Sequence, residues 1–326
     1  MIQSTYDFNI VTLSVNNTAV TIKGLNKVYQ GKNGKQFFAL QNLDLEIPRG
    51  SCCALLGPNG AGKSTLINIL AGSVTKTSGT VNVLGYDLDQ DSNLVKQNLG
   101  VVPQELFLDV FLSAYEALEI HAGYYGIRSK NRKTDLILKA LDLTEKRDAI
   151  PRSLSGGMKR RLLVGKALVH SPEVLILDEP TAGVDIDLRD KLWEYIRALN
   201  KSGTTIILTT HYLQEAEKLC DYFVFINKGT ILSYKKKEDI RLWTDSKKVI
   251  VRSLKKLHSV PESLLQYNAK LEDEGYALSM FCALECLTRA VDFACKETEV
   301  IDIEIPPTDL ETVFRQIIFK DASSKL

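Results

Sequence analysis

The sequence predicts an α/β fold: a mostly parallel sheet with an antiparallel edge region and a helical region, followed by a small α+β domain. Three observations predict it. Residues 174–178 and 204–209 read VLILD and TTIILT, short apolar runs separated by a helix-length stretch. Such runs are strands buried on both faces of a parallel sheet. Residues 51–72 read as strand, glycine-rich loop and helix. Residues 107–170 lose the strand pattern and place Leu112, Tyr115, Leu118 and Glu119, then Leu136, Leu138, Leu141 and Leu143, among lysines and arginines, the mark of amphipathic helices.

Taken in order, residues 1–18 carry no motif, and either add an edge strand or hang free. Three short strand-like runs follow, Ala19–Leu25, Phe37–Leu40 and Leu43–Ile47, separated by glycine-containing turns. Residues 79–87 read as one further strand, and KQNLGVVPQE as another that ends near Pro103. After the helical region (about 107–170) come the 174–178 strand, a helix over 188–200 and the 204–209 strand. Two strands flank the turn Asn227-Lys228-Gly229. The charge run Lys235–Asp239 reads as a solvated turn closing a first domain of 19–240. The second domain, 248–326, is expected to hold strands at 250–254, 264–268, 276–281 and 300–305, with helices at 283–296 and 308–319.

Composition removes several classes. At 326 residues the length suits about two domains. Forty-one basic and forty acidic residues leave a formal charge of +1. That balance argues against a protein held to nucleic acid by bulk positive charge, and none is expected as a partner. The apolar runs are strand-sized, too short to span a bilayer, and the N-terminus is a poor signal peptide. Six cysteines form no CxxC pair, so neither a zinc site nor a disulfide scaffold is expected, and Cys52 and Cys53 read as buried thiols.

Gly57-Pro58-Asn59-Gly60-Ala61-Gly62-Lys63-Ser64-Thr65 satisfies G-x-x-x-x-G-K-[ST], with a strand before it and a helix after it. Glycines let successive amides approach phosphate without a β-carbon in the way. The helix N-terminus adds positive partial charge. Lys63 can reach β- and γ-phosphates, and Ser64 can place a hydroxyl on magnesium. Asp178 and Glu179 close the apolar strand 174–177, at the carboxyl end where α/β sheets bind ligands. Asp178 suits magnesium, and Glu179 suits polarising a water. The bland alternative is an acidic surface turn.

Leu154-Ser155-Gly156-Gly157-Met158-Lys159-Arg160-Arg161 resembles the LSGGQ signature of ATP-binding-cassette (ABC) ATPases, with Met158 where glutamine is usual. A serine and glycine amides at a helix start form an anion-binding end, or simply a helix cap. With GPNGAGKST, ILDEPTAGVD and LTTHYLQEAEKLC, the chain resembles the ATPase subunits of ABC-2-type exporters, the YadG-like group among them. GYDL, AGYYG and the Asp309–Phe314 stretch add to that likeness. The resemblance covers about 19–240 and implies the P-loop NTPase fold of the ABC cassette.

The resemblance implies further roles. Tyr29 would stack on adenine, a core or edge aromatic being the alternative. Gln104 would sense magnesium and the γ-phosphate, joining Ser64 and Asp178 as a metal-side residue. Asp185 would cross a dimer interface, and His211 would contact the γ-phosphate and support the attacking water. Ser155, Gly156 and Gly157 would serve the ATP of a second copy, giving a head-to-tail homodimer around two ATP molecules. The implied cofactors are ATP and Mg2+. The implied activity is ATP hydrolysis, with Glu179, His211, Gln104 and Lys63 catalytic. The implied partner is a separate polytopic ABC-2-type membrane permease, with the chain peripheral at the cytoplasmic face of the inner membrane. A soluble ABC ATPase of translation or DNA repair is the rival, although such proteins usually carry two cassettes or a long coiled coil. A non-hydrolysing regulatory binder is the third class, and intact Glu179 and His211 argue against it.

Overall fold

A computed structural model describes residues 17–31, 34–184, 186–242, 246–306 and 309–323. The chain runs β1 (Thr18–Gln30), β2 (Gln36–Pro48), β3 (Cys52–Leu56), α1 (Lys63–Leu70), β4 (Ser78–Val83), β5 (Tyr86–Asp87), α2 (Ser92–Asn98) and β6 (Leu99–Val102). It continues through α3 (Ala114–Tyr124), α4 (Thr134–Ala140), α5 (Gly156–Leu168), β7 (Val174–Asp178), α6 (Ile186–Lys201), β8 (Thr205–Thr209), α7 (Leu213–Leu219), β9 (Tyr222–Asn227) and β10 (Thr230–Lys236). It closes with β11 (Ser246–Ser253), α8 (Glu262–Leu265), β12 (Lys270–Glu272), β13 (Ala277–Ala283), α9 (Leu287–Glu297), β14 (Val300–Glu304) and α10 (Leu310–Ser323). Among the described residues no helix is long and apolar enough to cross a membrane.

Two compact units divide the chain. Of the described residues, those up to 53, those of 60–209 and 228–230 form the first; those of 54–59, 210–227 and from 231 onward form the second. In the first, an antiparallel sheet runs β2-β1-β4-β5. The three short runs expected before residue 48 are in fact two 13-residue strands. Register shifts between Ile22 and Leu25 and between Leu25 and Lys27 absorb the irregular residues, so pairing continues where a sequence pattern breaks. The expected strand 79–87 is a hairpin instead, because Leu84 and Gly85 both take positive φ (55° and 91°) between β4 and β5. Residues before Leu99 that read as strand belong to α2.

The parallel ladder of this unit is β8-β7-β6, with Leu99 opposite Val174 and Asp178 opposite Thr209. Every residue of β7 and β8 is buried, which explains why both read as unbroken apolar runs. The helical region, α3 to α5, begins at a capping box. The Ser113 side chain accepts from the Glu116 amide at 3.2 Å, and the Glu116 carboxylate accepts from the Ser113 amide at 2.8 Å. Leu118, Leu138 and Leu162 are fully buried between its helices. Gly165 permits the close packing of α5, since a β-carbon there would lie 3.0 Å from Leu141 and 3.1 Å from Ile137. Arg161, also buried, donates to the carbonyls of Leu141 and Asp142 at 2.6 and 3.1 Å.

In the second unit, an antiparallel sheet runs β12-β13-β11-β14. One face carries Val249, Val251, Leu278, Met280 and Cys282, and Ala290 and Ala294 of α9 pack on it. The strand expected at 264–268 is instead the end of α8 and a turn. Leu264 and Tyr267 are both buried, three apart, which is a helical spacing, and Asn268 takes φ +52° and ends the turn. The strand lies two residues later, at β12. α10 packs on α7 and β9, burying Leu310 and Val313 and setting Phe314 6.3 Å from Phe225.

Candidate functional site

The phosphate loop leaves β3 and enters α1. Its outer residues Pro58, Asn59 and Gly60 are exposed, Gly57 is half-buried and Ala61 is buried. Gly62 takes φ +109° at the N-cap of α1. A β-carbon there would lie 2.7 Å from the Ala39 carbonyl and 2.9 Å from Leu40, so only glycine fits. Ser64 is exposed and Thr65 half-buried on the first turn. Lys63 is 8% exposed. Burial lowers its pKa, and the charges of Glu179 and Asp178 oppose that shift. This lysine therefore faces two carboxylates in a partly dry place, which suits it to polyphosphate.

Asp178 ends β7 and is 8% exposed. The Thr209 hydroxyl donates to its Oδ1. The same hydroxyl accepts from the Glu179 amide at 3.1 Å, and the Thr209 carbonyl accepts from that amide at 3.1 Å as well. These bonds hold Glu179 in a left-handed conformation, φ +51°. The chain thereby turns sharply off the strand. The Glu179 carboxylate accepts from Gln104 Nε2 at 3.2 Å. Lys63, Asp178, Glu179 and Gln104 are thus brought together. The Asp178 carboxylate and the Ser64 hydroxyl are hard oxygen donors, the ligand type that a magnesium ion would take.

Two residues of the site escaped sequence reasoning. Thr209 was legible only as a β-branched strand residue. Arg160 was read as part of the signature stretch; it is 4% exposed, and its two terminal nitrogens donate to the Pro103 and Gln104 carbonyls at 2.7 and 2.6 Å. An arginine at helical spacing from Leu163, Val164 and Ala167 was the available signal.

The Ser155 side chain caps α5 and accepts from the Met158 amide at 3.2 Å. Ser155 and Gly156 are exposed and Gly157 is buried, so the helix start is open to a ligand on its outer side. Tyr29 lies near the end of β1, 37% exposed, with Lys27 Nζ 4.6 Å from its ring centroid. His211 is exposed and belongs to the second unit. Asp185 lies outside the described residues.

Comparison with known proteins decides the family. A family model described as ABC transporter matches residues 40–182. The daunorubicin resistance ATP-binding protein DrrA3 of Streptomyces coeruleorubidus is 32% identical over 90% of this chain and 94% of its own length. The chain belongs to the ABC transporter family. Within that family, a Nod factor export ATP-binding protein I of Cupriavidus metallidurans is 40% identical over 63% of this chain and 70% of its own. The same-named protein of Cupriavidus pinatubonensis is also 40% identical, the match spanning 62% of its length. Among solved structures, a dimeric ATP-binding cassette in a post-hydrolysis state, bound to ADP and Pi, superposes with a TM-score of 0.62 at 25% identity, covering 67% of this chain and 98% of that one. The ATP-binding subunit of an ABC transporter gives 0.63 at 28%, covering 69% and 92%. The fold is therefore that of the P-loop ABC cassette.

Proposed function

We propose that this ABC protein binds and hydrolyses ATP as the motor subunit of an ABC-2-type exporter. The observation that carries the reading is the Glu179 carboxylate, 3.2 Å from Gln104 Nε2 and paired electrostatically with buried Lys63. Lys63 binds the β- and γ-phosphates, with the Gly57–Thr65 loop around them and Tyr29 against the adenine. Ser64 and Asp178 hold the magnesium ion, which screens phosphate charge when bound, and Gln104 stands beside them. Glu179 orients a water toward the γ-phosphorus and takes its proton as the P–O bond to ADP breaks. For His211 the motif alone, and not its placement, supports a role in steadying that water and the γ-phosphate.

Ser155, Gly156 and Gly157 serve the ATP of a second copy. The dimeric cassette among the related structures supports a dimer; the head-to-tail order rests on the signature stretch at Ser155. A separate polytopic permease receives the motion, with the chain peripheral at the cytoplasmic face of the membrane. Support comes from the export and resistance names of the relatives and from the exposed Leu106, Phe107 and Phe111 after Gln104. In the same unit a cavity of about 600 Å³ is lined by Asn93, Lys96, Gln97, His121, Tyr124 and Tyr125. Residues 19–240 carry the cassette motifs, and 248–326 carry none of them.

The test is phosphate release from ATP together with equilibrium binding of a nucleotide analogue. Lys63→Ala removes charge-assisted bonds of about 1.5–3 kcal/mol each, so affinity is expected to fall at least tenfold. An unchanged dissociation constant would place the phosphates elsewhere.

A further inference from the structure

We infer that Arg160 is a positioning residue that ties the signature helix to the Gln104 segment, so that the state of Ser155 at one nucleotide reaches Glu179 at another. This rests on the head-to-tail reading above. The path is continuous within the first unit. Ser155 caps α5, and Arg160 stands five residues on, in the second turn of that helix. Its guanidinium donates twice to consecutive carbonyls, Pro103 and Gln104, at 2.7 and 2.6 Å. The Gln104 side chain then donates to Glu179 at 3.2 Å.

The chemistry favours a strut over a filler. Two short bonds from one planar guanidinium hold the two successive peptide units that flank the Gln104 Cα. Burial at 4% exposure strengthens these bonds and makes their loss costly. Among the described residues Arg160 Nε has no hydrogen-bond partner, so the guanidinium directs its two hydrogen bonds at this one segment. Arg161, the next residue, is equally buried but bonds within the helical region, to Leu141 and Asp142. The two arginines divide the labour: one holds the helical region together, the other couples it to the base.

When a second copy's ATP draws on the α5 start, the helix shifts as a rigid element and Arg160 carries the Gln104 backbone with it. Gln104 Nε2 then moves relative to Glu179. Hydrolysis in one site becomes sensitive to nucleotide in the other without any side chain touching both.

The test is a double-mutant cycle on the full chain, with its permease if the chain alone does not turn over. Arg160→Met keeps the length of the side chain and removes both bonds; Arg160→Lys can restore one. For Arg160→Met we expect ATP affinity within about twofold of the parent, kcat lowered about tenfold and the Hill coefficient for ATP reduced toward one, with Arg160→Lys intermediate. In the Gln104→Ala background, Arg160→Met is expected to cost little more, because its route runs through Gln104. Multiplying effects in the double variant, lost ATP binding or an unchanged kcat would overturn the inference. Should Arg160→Met not fold, Arg160→Lys carries the same cycle. A parent chain that neither dimerises with ATP nor hydrolyses it would instead sink the functional reading.

Discussion

Thr209 and Asp178 are partners twice over. They face each other across the parallel ladder, and the hydroxyl of one donates to the carboxylate of the other. The hydroxyl also accepts from the Glu179 amide, so one side chain orients both acidic residues of the site.

Thr209→Val keeps shape and burial but removes that hydroxyl. A buried partner left unsatisfied costs about 1–3 kcal/mol. We expect a fall of about tenfold or more in hydrolysis and a weakened response to magnesium, with Thr209→Ser close to the parent. Titration of ATPase rate against magnesium at fixed ATP measures it; a Val variant with parental rate and magnesium demand would remove Thr209 from the site.

Glu179→Gln preserves an acceptor for Gln104 but loses the carboxylate that takes the water proton. Hydrolysis is expected to fall by about 100-fold or more, the scale of a general base. Binding should persist through Lys63, Ser64 and Asp178. The unspent ATP should then hold two copies together, giving a dimer with ATP and magnesium and none with ADP. Adding Ser155→Arg should abolish that dimer by crowding the shared face. Light scattering reads both states, and parental hydrolysis in Glu179→Gln would reassign the base.

Leu310 is fully buried where α10 packs on α7 and β9. Leu310→Ala is expected to cost about 2–5 kcal/mol, seen as a lower thermal midpoint. Ending the chain at residue 240 removes α10 altogether and uncovers the same apolar surface, including Phe225. Such a truncation is expected to melt lower than the parent even with ATP present. Equal midpoints by calorimetry would show that α10 adds no stability.

His121 carries a pH signature. Burial, then the charges of Lys166 and His170, lower its pKa from 6.5 to about 4. The unfolded chain therefore binds this proton at higher pH than the folded one. Its contribution to stability is complete above about pH 6.5 and is lost as pH falls toward about 4. His121→Phe retains the edge contact with Tyr125, whose ring centroid is 5.5 Å away. The variant's denaturation midpoint should decline less than the parent's over that window. Parallel declines would assign the acid sensitivity to other groups.

The parallel ladder and the phosphate loop were legible because burial on both faces and the need for glycine leave direct marks on residue type. β7 could be read from Val174–Leu177 alone, and Lys63 from its spacing to Gly57. The bulged β1–β2 pair was less legible, since register shifts break the alternation that marks a strand. Residues 264–268 misled because an apolar run of that length fits a strand or a helical turn, and only tertiary burial of Leu264 and Tyr267 decides. In the site, the residues proposed to touch ligand follow a motif. Thr209 and Arg160 act on other protein groups, and such roles depend on contacts 31 and 56–57 residues away in sequence.

The left-handed turn at Glu179 has a consequence for which sequences can occupy that position. A β-branched side chain resists positive φ, whereas asparagine and aspartate accept it more readily than most residues. In a library randomised at residue 179, abundance of folded protein should therefore sort by backbone tolerance, with valine, isoleucine and threonine depleted even among inactive variants. Activity should sort by the carboxylate alone. The two rankings would separate the architectural demand on this residue from its chemical one.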